Sequence, residues 1–70
     1  MSHMQLVVNA VASTVADDTT VADVVLALAG DDPRGIAVAL NGDVVPRSHW
    51  AQTRPADGDH VEVLTAVQGG

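Results

Sequence analysis

Seventy residues are enough for one domain and too few for two cores, and a chain of this size buries only about 60 % of its unfolded surface. There is no cysteine, and His3, His49 and His60 match no zinc spacing, so disulfide and metal staples are excluded and stability must come from packed Val, Ala and Leu. Nine acidic residues stand against three basic ones, all arginine (Arg34, Arg47, Arg54), which excludes a surface able to neutralise nucleic-acid phosphates.

The acidity itself serves either solubility or steering toward a basic partner. The longest apolar run, Val24 to Ala29, falls far short of the roughly 20 residues of a membrane span. No signal-peptide pattern stands at the start, so a soluble cytoplasmic protein without a membrane partner is expected. Residues 1–3 read as an expression scar ahead of a native start at Met4.

From Met4 to Ala16, "MQLVVNAVASTVA" is rich in β-branched residues and broken at Asn9-Ala10, which predicts a hairpin of two strands. Thr20 can cap a helix, with Asp23 three positions on. Val21, Val24, Val25 and Leu28 then follow the i, i+3, i+4, i+7 pattern of an amphipathic helix of about ten residues. Gly30 ends it. After the loop "GDDPRG", Ile36 to Leu40 predicts a third strand, and the turn Asn41 to Asp43 leads into a short fourth at Val44 and Val45. Pro46 cannot donate to a ladder, so that strand must lie at an edge or stop. Arg47 to Gln52 reads as a helical turn that Ser48 can cap. "ADGD" is a further turn, and His60 to Val67 is the last strand.

The order β-β-α-β-β-β is that of an α+β, ubiquitin-like β-grasp. It implies a mixed sheet of four to five strands, one main helix packed on one face and the other face partly open. The domain is assigned to residues 4–67 and an extended tail to 68–70.

No catalytic constellation is present in the sequence. The acidic pairs Asp17-Asp18 and Asp31-Asp32 fall in predicted loops, where such pairs are solvated, and His60 beside Asp59 reads as an exposed strand residue. Trp50, the sole large aromatic, reads either as a lid on one end of the core or as an interface anchor. The chain is therefore not expected to be an enzyme, nor to bind a cofactor or metal of its own.

What remains is the end, Gln68-Gly69-Gly70. Three residues reach about 10 Å beyond Val67, and glycine, lacking Cβ, lets backbone pass close to an enclosing wall. A carboxylate is a poor electrophile; a separate ATP-using enzyme could activate it by adenylation.

The stretches "TVADVVLAL", "IAVALNGDVVPRSHW" and "DGDHVEVLTAVQGG" together resemble the ThiS family of sulfur-carrier proteins of thiamine thiazole biosynthesis, over nearly the whole chain from Met4. The resemblance implies that a ThiF-like enzyme with Mg-ATP adenylates Gly70, that a persulfide donor supplies sulfur to form a thiocarboxylate there, and that a ThiG-like thiazole synthase takes it. Gln68 and Gly69 would thread into the partner, and Arg47, Trp50 and Val67 are assigned to docking. Two departures stand out: Asn9-Ala10 where the family often has Asn-Gly, and Pro55 where an apolar leucine is common. Rival readings are a MoaD-like small subunit of molybdopterin synthase and a ubiquitin-like modifier.

Overall fold

The computed structural model describes residues 2–30, 32 and 34–65. Its elements are β1 (His3–Val8), β2 (Val11–Ala16), α1 (Val21–Ala29), β3 (Ile36–Leu40), β4 (Asp43–Val44), a 3-10 helix (Arg47–Gln52) and β5 (His60–Thr65). One five-stranded sheet runs in the order β2-β1-β5-β3-β4. The last strand thus lies in the middle, parallel to β1 and antiparallel to β3. This is the ubiquitin-like β-grasp with one main helix.

The first hairpin pairs without a bulge from His3 opposite Ala16 to Val8 opposite Val11. A two-residue loop joins them, with left-handed φ of 49° at Asn9 and 67° at Ala10, the type I′ turn, one of the two whose twist matches that of the flanking strands. Asparagine tolerates that region; alanine does so at a cost of roughly 1–2 kcal/mol.

Helix α1 opens on a reciprocal cap. The Asp23 N–H donates to Thr20 Oγ1 (3.2 Å) and the Thr20 N–H to Asp23 Oδ2 (3.0 Å), so aspartate does here what glutamate does in the usual capping box. Val21, Val24 and Val25 are buried, but Leu28, expected on the same stripe, is 54 % exposed. The core contact at that end of the helix passes to Ala29, which packs against the buried cluster, and Leu28 turns toward β2.

Two local expectations shift. The fourth strand is Asp43–Val44 rather than Val44 and Val45, since a two-residue Asn41-Gly42 turn pairs Leu40 directly with Asp43. Val45 still donates to the Val38 carbonyl (2.9 Å) before Pro46 ends the pairing. Ser48 caps nothing: the 3-10 helix already begins at Arg47, with Pro46 before it and no side-chain cap. The last strand, expected to reach Val67, is described as far as Thr65.

The core is one-sided. Met4, Leu6, Val8, Val38, Val61 and Val63 from the sheet meet the three helix valines and Trp50. Leu6, Val21, Val38 and Val61 are fully buried, each worth about 1.5–3 kcal/mol relative to exposure. Pro55, the departure from the leucine pattern, is buried as well. The helix start is tied to this core through the Val21 N–H, which donates to the Thr53 carbonyl (2.9 Å).

Ala10→Gly should stabilise the fold by about 0.5–1 kcal/mol, the left-handed strain removed exceeding the extra freedom of the unfolded chain. Urea unfolding would read it; an unchanged or lower midpoint would mean that the turn holds no such strain.

Candidate functional site at the end of the last strand

Of the residues assigned to the carrier site, Val67, Gln68, Gly69 and Gly70 lie outside the described residues. What the structure defines is the strand that leads to them and the surface around its exit.

β5 is held by an unusual set of bonds. β1 reaches only its beginning, with Val7 opposite His60 and Val8 opposite Val61. Residues 62–65 run on past the end of β1. There the Asn9 side chain takes the place of a neighbouring strand: its Nδ2 donates to the Val63 carbonyl (3.2 Å), and the Val63 N–H donates to its Oδ1 (2.8 Å). Asn41 does the same for the first residue of the strand. Its backbone N–H donates to the His60 carbonyl (2.7 Å) and its Oδ1 accepts from the His60 N–H (2.9 Å). Both asparagines have positive φ, 49° and 51°, so the left-handed turn of each hairpin is also what aims its amide at β5.

The turn before β5 is bolted to β1. Gln5 donates its N–H to Asp57 Oδ1 and accepts from the Gly58 N–H, both at 2.7 Å. Val7 donates to the Asp59 carbonyl (2.9 Å). Inside the turn, Asp59 Oδ2 accepts from the Ala56 N–H (2.8 Å). Thus the "GD" of the sequence match acts structurally, fixing where β5 starts.

On the face away from the helix, Leu64 lies opposite Ala37 and Val44 opposite Ala39. Leu64 is 60 % and Val44 77 % exposed, giving this face two apolar side chains, Leu64 near the end of β5 and Val44 in the row of Ala39 and the exposed Glu62. Chain direction brings Arg47 toward the end of β5. β4 runs antiparallel to β3, so the residues after it head toward Ile36, which pairs with Thr65. Arg47 is exposed and acts on Asp32 in the loop before β3. The Arg34 guanidinium, hydrogen-bonded to Asp32, is the main cause holding that carboxyl below its ordinary range; the Arg34 backbone N–H and the Arg47 charge add to it.

Trp50 is different. It is 5 % exposed and its indole N–H donates to the Val45 carbonyl (2.8 Å), so it closes the core beside α1 and offers a partner almost nothing to touch. The sequence singled out neither Asn9 nor Asn41 as a clamp. Each stood only as a turn residue, and side-chain pairing across 54 and 19 positions leaves no local signal. Among the described residues, no group of three or more His, Asp or Glu side chains could hold a metal, and no helix is long and apolar enough to cross a membrane.

Comparison with known proteins agrees with this geometry. The ThiS family model matches residues 5–70. A crystal structure of the thiamine biosynthesis protein ThiS from Geobacter metallireducens superposes with a TM-score of 0.78 at 38 % identity, covering 96 % of this chain and all of that one. A thiazole synthase of Paramagnetospirillum magneticum is 36 % identical over 67 residues, 96 % of this chain but only 20 % of that protein. The sulfur carrier protein ThiS of Escherichia coli is 42 % identical over 36 residues, 51 % of this chain and 54 % of its own length. The chain therefore spans a fifth and about half of the length of these two curated relatives.

Asn9→Gly keeps the left-handed turn and deletes only the side-chain clamp, leaving the Val63 N–H and carbonyl without partners. A loss of about 1–3 kcal/mol is expected, with faster hydrogen exchange at the Val63 amide. Wild-type stability and exchange would show that the clamp contributes nothing.

Proposed function

Because the chain belongs to the ThiS family, we propose that it is a sulfur carrier for thiazole formation in thiamine biosynthesis, its Gly70 carboxylate being the group that carries the sulfur. The observation that bears most weight is that the family match runs through Gly70 itself. The relative named thiazole synthase, in which a stretch like this whole chain is embedded, supports the thiazole branch over a molybdopterin one.

In this reading the chain is a co-substrate, acted on by partner enzymes and binding no cofactor itself. A ThiF-like enzyme using Mg-ATP joins a Gly70 carboxylate oxygen to AMP and releases pyrophosphate. The terminal sulfur of a persulfide then displaces AMP, and a thiol cleaves the resulting acyl disulfide to leave the thiocarboxylate. A ThiG-like synthase takes that sulfur, all in the cytoplasm where ATP is at hand. Gln68 and Gly69 thread the partner's slot. The body docks through the face that carries Leu64 and Val44, with Arg47 at its margin; the burial of Trp50 leaves it out of that face.

Incubation with the adenylating enzyme, Mg-ATP and a persulfide donor should exchange one oxygen for sulfur at the C-terminal fragment, read by mass spectrometry. Gly-Gly remnants on other proteins, with no such exchange, would reassign the chain as a modifier.

Gly69→Ala should fold and bind nearly as well yet lose most turnover to thiocarboxylate, since even one methyl clashes in a slot that excludes water. Normal turnover would mean that no tight slot exists.

At Arg47 the expected outcome is a split. Arg47→Glu should weaken binding of the adenylating enzyme while leaving the melting temperature within about a degree or two, as for a solvated surface substitution; an equal loss of both would assign Arg47 to folding.

A further inference from the structure

The two edges of the sheet are built differently. β4 is guarded: it has two residues, one of them Asp43, and Pro46 follows closely. β2, at the other edge, carries none of the usual protections. Its six residues "VASTVA" include no charge and no proline, and they pair with β1 without a bulge.

In a hairpin with a two-residue loop, the pair flanking the loop exchanges both backbone bonds, and the bonding then alternates. Val11, Ser13 and Val15 therefore bond inward to β1, and Ala12 and Thr14 turn their N–H and carbonyl groups outward. Among the described residues neither takes part in any backbone bond outside the sheet.

Directly beside this free edge, α1 and β2 enclose a groove of about 250 Å³ lined by Val15, Val24, Ala27 and Leu28, with Ser13 and Asp23 at its polar side. Leu28 and Val11 are 54 % and 63 % exposed. The side chain that departs from the helix's core stripe is thus one wall of the groove. The charge around it has one sign: residues 1–30 contain Asp17, Asp18 and Asp23 and neither lysine nor arginine.

We infer that the β2 edge and the β2–α1 groove form a second docking site, distinct from the tail and the Leu64 face, for an extended segment of a partner protein with alternating apolar residues and basic flanks. Such a segment adds a sixth strand. Its residues opposite Ala12 and Thr14 exchange backbone bonds with them, and the residues between, which point to the helix side, enter the groove, as in strand-addition recognition. The basic flank at the C-terminal end of β2 meets Asp17, Asp18 and Asp23. Charge also argues against a second copy of this chain as the occupant, because residues 1–30 hold neither lysine nor arginine with which a copy of β2 could meet these acidic groups.

The test uses the full chain, labelled with ¹⁵N, and a capped peptide of alternating valine and threonine flanked by lysine pairs. Amide shifts should concentrate at Ala12 and Thr14 and along Val24, Ala27 and Leu28, and added salt should weaken binding. With valines in the groove, the threonines make the backbone bonds. N-methylation of the threonines should therefore cost at least about tenfold in affinity, and N-methylation of the valines should be tolerated. Equal effects of the two methylations, shifts centred on Val44 and Leu64, or no saturation at millimolar peptide would each overturn the proposal. So would self-association through β2 in the absence of peptide, which would make the occupant a second copy.

Discussion

The pairing of the Asn9 side chain with both backbone groups of Val63 is the contact on which the arrangement depends. A β-grasp puts its last strand in the middle of the sheet, so that strand needs partners on both sides. Here β1 ends too soon to supply one of them, since it turns back at Asn9 while β5 runs on. A backbone N–H and carbonyl left bare beside the buried Val63 would cost roughly 1–3 kcal/mol, and the amide of Asn9 meets both at once. Only a side chain carrying a donor and an acceptor in one plane does this. Aspartate would offer no donor and alanine nothing.

That solution constrains the turn as well. Asn9 must stand at a positive φ for its side chain to reach across, and the two-residue hairpin then forces Ala10 into the same region. The fold tolerates a poor residue at Ala10 because the position before it is doing two tasks. Asn41 repeats the device with Gly42 behind it, where no Cβ resists. The two contacts differ in chemistry as well as strain, Asn9 using both atoms of its amide and Asn41 its backbone N–H and Oδ1. Both act on β5, so the course of that strand is set by side-chain bonds made 54 and 19 positions away in sequence.

Much of this was legible in the sequence because it is local. The Asn9-Ala10 and Asn41-Gly42 breaks, the Thr20 cap and the valine spacing of α1 each follow from interactions within four residues, and the element order then points to the fold. The strand limit at Val44, the unused cap at Ser48 and the exposure of Leu28 depend on register and on which surface arrives opposite. Trp50 shows the difference. Composition offered it as either lid or anchor, and only the Val45 carbonyl waiting at 2.8 Å decides for the core. Asn9 is the reverse case: its sequence signal named the turn, and the larger role lay with a partner that no window could contain.

The sheet also divides its surfaces by chemistry. One face is consumed by the helix, because valine and leucine side chains alone must hold a chain with no disulfide. The other keeps Leu64, near the end of β5, and Val44 in water, which for an isolated domain is a cost and, in the proposed reading, is a place to be gripped. On that reading, a grip there holds the body by a face that the helix and the buried cluster do not use. In the same proposed reading, holding the body while the C-terminal glycines react would let one chain serve more than one enzyme without refolding. The two proposed surfaces would differ in the same chemical terms, the acidic groups beside β2 suiting a basic segment and the Leu64 face an apolar one.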